Sequence, residues 1–154
     1  MRRVAARRIR RDASGVVGAE VLPFVILVFV GGTLVFAQAW AALDAKIAAV
    51  AGAREAARTF VEHRGPRFGE AADASVAAGM QAMSGYRLSG SASVQPVGAV
   101  RLHRCERVTF EATREVPRLA LPGGRWSPMT VSARASEIVD PFRHGLRGRA
   151  LCGQ

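Results

Sequence analysis

Few residues in this chain could do chemistry, and two groups have a placement that asks for an explanation. Glu20 stands directly before the apolar run Val21 to Leu43 and five residues after Gly15. A carboxylate at the mouth of a membrane-length segment is costly and asks for a reason; an interfacial Glu with no special partner is the alternative. Cys105 and Cys152 are the only two cysteines. In an oxidising compartment an even number favours pairing. A bridge would hold down the polar, glycine-containing last dozen residues and contribute ~3–4 kcal/mol through the unfolded chain; two free thiols are the alternative. The remaining candidates fall away. His63, His103 and His144 are scattered. His103 would share a strand face with Cys105, but two ligands do not make a zinc site. The serines form no Gly-x-Ser-x-Gly elbow. Gly123, Gly124, Gly145 and Gly148 lack the spacing of a phosphate loop. Glu55 and Glu62 flank Arg58 one heptad apart, as on a salt-bridged, solvated helix face. The reading is a protein with no catalytic residue, no metal site and no cofactor.

The elements that must carry these groups start with the apolar run. Its 23 residues hold no formal charge. As a helix they would extend ~34 Å, enough for a hydrocarbon core of ~30 Å. The chain has 154 residues, enough for one ordinary domain, with 22 Lys+Arg against 12 Asp+Glu and a net charge of +10. Half of that excess lies in the first twelve residues, which hold Arg2, Arg3, Arg7, Arg8, Arg10 and Arg11. This concentration argues against a uniformly basic nucleic-acid-binding domain. It serves instead as an orientation signal that keeps the N-terminus cytoplasmic and residues 44–154 outside. Contact with anionic lipid headgroups is the alternative to its being only an orientation signal that is removed with the leader.

Beyond the run the chain changes character. From Ala37 to Arg58, 11 of 22 residues are Ala, which favours a helix continuing out of the membrane as a stalk. Trp40, Leu43, Ile47, Val50, Arg54, Ala57 and Val61 step by three and four, a narrow packing seam with one polar interruption. Arg64-Gly65-Pro66 ends the pattern. A shorter helix is expected over Gly69 to Met83, burying Ala72, Val76, Met80 and Met83, although Gly79 weakens it. Strands follow. Ser91–Val97 suits an edge because of Pro96. In Arg107–Glu115, Val108, Phe110 and Ala112 alternate with Arg107, Thr109, Glu111 and Thr113. Met129–Val139 repeats this, with Val131, Ala133 and Ala135 on one side. The Pro- and Gly-containing stretch 117–128 reads as a loop.

The segment Gly15-Val16-Val17-Gly18-Ala19-Glu20 resembles the type IV prepilin signal, in which a basic leader ends in Gly and a Glu lies fifth in the mature chain. The resemblance implies cleavage between Gly15 and Val16 by a membrane prepilin peptidase, followed by N-methylation. Glu20 would then neutralise an α-amine inside a helical bundle, where either charge left unpaired is expensive. Ala53-Arg54-Glu55-Ala56-Ala57-Arg58 resembles a stretch of TadE-like proteins, minor pseudopilins of the tight-adherence (Flp) pilus system. Val131 to Glu137 with Val139 to Arg143 is similar to the last strand of the actinobacterial members. Together these segments cover about a third of the chain. Pro23 departs from the family pattern, and because it lacks an N–H a kink near residues 19–23 is expected. Gly31-Gly32 would let another helix approach closely, the favoured reading, or would loosen the middle of the span.

A rival processing site lies at Ala37-Gln38-Ala39, whose small-x-small form suits ordinary signal peptidase. Cutting after Ala39 would secrete residues 40–154 as an α+β protein of unknown ligand, leaving Glu20 unexplained. The expected architecture is α+β. It comprises a basic leader (1–15), a transmembrane helix (16–43), a helical stalk (44–64) and an extracytoplasmic antiparallel-sheet head (65–154). The protein would be a single-pass subunit of the cell membrane, not an enzyme. Its expected partners are prepilin peptidase, other pilin-like subunits and pilus assembly proteins, and membrane lipid, with no nucleic acid.

Overall fold

A computed structural model describes residues 16–65, 67–86, 90–116, 129–148 and 151–152. The order of elements is α1 (Val16–Glu62), α2 (Phe68–Ser84), β1 (Ala92–Pro96), β2 (Arg107–Val116) and β3 (Met129–Ile138). The chain divides into two compact units, residues 1–37 and 38–154.

In the first unit the described residues are all helical. Pro23 lies inside α1 without ending it, although a proline withholds one backbone donor from the ladder. Every residue from Val21 to Val30 is exposed, with Phe29 reaching 74% and Leu27 70%. This helix is long and apolar enough to cross a membrane.

The second unit is built on an alanine face. Ala45, Ala48, Ala49, Ala53, Ala56, Ala57 and Phe60 of α1 are fully buried, at the three-and-four spacing of one helical stripe. Phe60 supplies the bulk that the alanines lack. Its ring centroid lies 5.7 Å from that of Phe110 and 5.9 Å from that of Phe68.

The second helix is present but turned from the expected face. Its buried residues are Ala71, Ser75, Gly79 and Met83, while Ala72 and Val76 are only partly buried and Met80 is exposed. The cause is a close crossing of the two helices. A Cβ placed on Gly79 would lie 2.8 Å from the Gly52 carbonyl oxygen, and one on Gly52 would lie 3.1 Å from that of Gly79. Gly79 lets the backbones meet at the crossing and Met83 packs over Gly52, while Val76 is left at the edge of the core and Met80 faces outward. Ser75 is tolerated there because its hydroxyl donates to the Ala71 carbonyl at 2.6 Å.

The sheet follows the alternation in the sequence. Its order is β1-β2-β3, both pairs antiparallel. Val108, Phe110, Ala112 and Val116 of β2 are buried, as is Ala133 of β3. Arg114 shares the inner face of β2 and is also buried, continuing the period-two pattern past the expected apolar stretch. The outer face is polar. Ser93 bonds Thr113 at 2.6 Å, Thr109 bonds Ser136 at 2.8 Å, and Arg134 meets Glu111 at 3.2 Å. The expected loop at 117–128 lies outside the described residues.

Candidate processing site and packing faces

The proposed processing site lies at the N-terminal end of α1. Gly15 and the side chains of Val16 and Glu20 lie outside the described residues, while the backbone from Val16 onward is helical. Glu20 is thus placed on the helix, one residue before the exposed apolar stretch begins.

The packing seam divides into two parts. Trp40, Leu43 and Ile47 are 58%, 58% and 52% exposed. Val50 and Val61 are partly buried against the core, and Ala57 is fully buried within it. The heptad-like spacing therefore marks two different surfaces. Its second half, apart from the exposed Arg54, enters the chain's own core, whereas its first half presents large apolar side chains outward. The alanine face beside it is not legible from the spacing, because the large apolar residues define a different stripe and the alanines read first as helix formers. Its small side chains are what permit the observed approach of α2.

The ends of the second unit are fastened by two long-range links that the sequence does not reveal. The Lys46 ammonium donates to the Ser132 carbonyl, joining α1 to β3. The Arg143 guanidinium donates to the Val61 carbonyl, meeting one of the acceptors left without an intrahelical donor at the end of α1. Arg104 Nε in turn donates to the Arg143 carbonyl at 2.8 Å.

Cys105 and Cys152 form a disulfide, with Cα atoms 5.2 Å apart. Cys105 has φ 62°, a left-handed conformation that is uncommon for a residue with a side chain. Its N–H donates to the Val139 carbonyl at 2.9 Å, and the Arg104 N–H donates to the Arg147 carbonyl at 2.8 Å. Gly148, at φ 122°, lies against this turn so closely that a Cβ would sit 2.9 Å from the Arg104 backbone. The tail is therefore held by backbone bonds as well as by sulfur. With Cys105 bridged, the His103–Cys105 pair offers no thiolate ligand. Among the described residues no group of three metal-binding side chains is present.

An open depression of ≈ 670 Å³ is lined by Val61, Glu62, Arg64, Ile138, Asp140, Arg143 and His144. Its charges are mixed, and its Arg143 is engaged with Val61. Arg58 meets Glu62 at 2.9 Å on the exposed side of α1. The hydrogen bond and charge of Glu62, with the charge of Glu55, raise the Arg58 pKa above its ordinary value. This is the salt-bridged face expected from the spacing.

No protein-family model, curated protein or solved structure matches this chain.

Proposed function

We propose that this chain is a non-enzymatic, prepilin-type membrane subunit, a TadE-like minor pilin or pseudopilin that acts in assembling a tight-adherence pilus or a related secretion machine. The observation that carries the reading is the change of surroundings along one uninterrupted helix. Around residues 21–30 its apolar side chains are exposed, whereas between residues 45 and 60 it buries an alanine face in an α+β head. A helix so apolar needs lipid or neighbouring helices around it. The basic leader supports a cytoplasmic N-terminus, and the Cys105–Cys152 bridge suits an oxidising, extracytoplasmic side.

In this account prepilin peptidase cuts between Gly15 and Val16 while the span holds the subunit in the membrane. On assembly, Glu20 of one subunit neutralises the Val16 amine of a neighbour, since neither charge tolerates burial alone. Trp40, Leu43 and Ile47 supply the outward apolar surface for adjoining helices. The test is genetic. Deleting the gene should abolish or sharply reduce surface pili. The wild-type gene should restore them, and Glu20→Ala should not, at equal abundance in the membrane. Unchanged piliation in the deletion strain would contradict the proposal.

The secreted reading has one observation in its favour: the second compact unit begins at Gln38, beside the signal-peptidase form Ala37-Gln38-Ala39. The continuous helix through that point and the unexplained Glu20 weigh against it.

A further inference from the structure

Within the second unit, the outward face of α1 carries two lanes of unlike character side by side. At ~100° of turn per residue, Trp40, Ile47, Arg54 and Arg58 fall within ~40° of arc, and Asp44, Glu55 and Glu62 fall within ~20° beyond them. Ala51 lies between the lanes. The first lane begins apolar, with Trp40 58% and Ile47 52% exposed, and continues basic. The second is acidic along its whole length. Arg58 and Glu62 meet across the lanes at 2.9 Å. Arg54 and Glu55 are both exposed and enter no ion pair among the described residues. The lanes lie opposite the buried alanine face, so the rest of the head stands behind α1 and leaves room for a second helix.

Two copies of α1 can meet on this face in either of two senses. In a parallel pair about a two-fold axis, the basic lane of each copy faces the acidic lane of the other. Arg54 then stands within one residue, ~1.5 Å of rise, of Glu55 in the second copy, and Arg58 within three, ~4.5 Å. Ala51 falls nearest the axis, where a small side chain permits a short distance between helices. In an antiparallel pair each lane faces its own counterpart, and the acidic lanes are forced together. The apolar start of the first lane supplies attraction. The charges decide the direction.

We infer that α1 binds a second copy of this chain in a parallel two-fold pair, with Arg54 and Arg58 of each copy against Glu55 and Glu62 of the other. The inference rests on the subunit reading above for the use of this face as a contact, and it names the partner that takes it.

The test uses the full-length chain in detergent, with retention of the native bridge as the check on folding. An Ala51→Cys variant should form a disulfide-linked dimer on mild oxidation. Ala77→Cys, exposed on α2, should not. In the Ala51→Cys chain, Arg54→Glu or Glu55→Arg should each weaken dimer formation by about threefold to thirtyfold, the range for losing the two exposed pairs. Combining Arg54→Glu with Glu55→Arg should give more dimer than either change alone, because opposite charges face each other again. High salt should weaken the dimer formed by the unsubstituted lanes. Equal crosslinking at 51 and 77 overturns the inference, since the contact would then be unspecific. A single reversal that strengthens the dimer overturns the parallel sense, and the inference with it. No crosslinking at 51, while Ile47→Ala still depletes other subunits in crosslinked membranes, overturns the pair and leaves the subunit reading standing. Piliation of the deletion strain reports on that reading separately.

Discussion

Replacing Gly79 by alanine tests the helix crossing on which the head is built. In an open helix the change gains about 1 kcal/mol, because glycine is the poorer helix former. At this position the new methyl would meet the Gly52 carbonyl oxygen at 2.8 Å, Ala56 Cβ at 3.1 Å and Val94 Cγ1 at 3.2 Å. The first of these is backbone and cannot swing away. Both helices would have to separate, lifting the alanine face of α1 from the sheet. Overpacking of this kind costs about 1–3 kcal/mol, so the expected net loss is about 1 kcal/mol. A methyl added to Gly69, in the same helix, would find nothing within 4 Å, and Gly69→Ala should be neutral or stabilising by a few tenths to about 1 kcal/mol. Gly52→Ala should fall between the two, since its closest neighbour is the movable Met83 side chain at 2.6 Å. Urea titration of the full-length chain in detergent, read by pulse proteolysis, reports these differences as midpoint shifts. A stabilised Gly79→Ala variant would refute the close crossing.

Other outcomes follow from the same packing. Reducing the Cys105–Cys152 bridge, or substituting both cysteines by serine, should cost up to about 4 kcal/mol for a separation of 47 residues. The urea midpoint with and without reductant measures it, after thiol blocking has confirmed the bridge on a non-reducing gel. Phe60→Ala should cost about 3–5 kcal/mol, because the ring is fully buried between Phe68 and Phe110; the same titration should find the head largely unfolded. Ile47→Ala, at 52% exposure, should leave stability within about 0.5 kcal/mol while lowering recovery of other pilin-like subunits in crosslinked membranes. A loss of stability without a loss of partners would remove the outward face from the account.

The strands were legible because a half-buried sheet imposes a strict period of two, and Val108, Phe110 and Ala112 keep it. Arg114 obeys the same period against its residue type, so its inward side follows from pattern where hydrophobicity argues the other way. The existence of α2 was legible, but its face was not. Ranking by apolarity favours Val76 and Met80, whereas close backbone approach selects Ser75 and Gly79. Along α1 both faces are apolar enough to be buried. Spacing alone could not say that Ala45 to Ala57 turns inward while Trp40, Leu43 and Ile47 turn out. The bonds from Lys46 to Ser132 and from Arg143 to Val61 join residues 86 and 82 apart, a separation at which no local pattern exists. The candidate site at Gly15, Val16 and Glu20 is a reading of residue order. Its chemistry depends on a peptidase and on neighbouring subunits, which the fold of one chain does not contain.

The central claim concerns where the mature chain begins. The direct measurement is the N-terminal residue of the native protein, by mass spectrometry of membrane and culture-medium fractions. The account predicts a membrane-bound species starting at Val16, carrying a methylated amine, and lost when Gly15→Val blocks the cut. A soluble species starting at Trp40 in the medium, or a chain still carrying the basic leader, would contradict it.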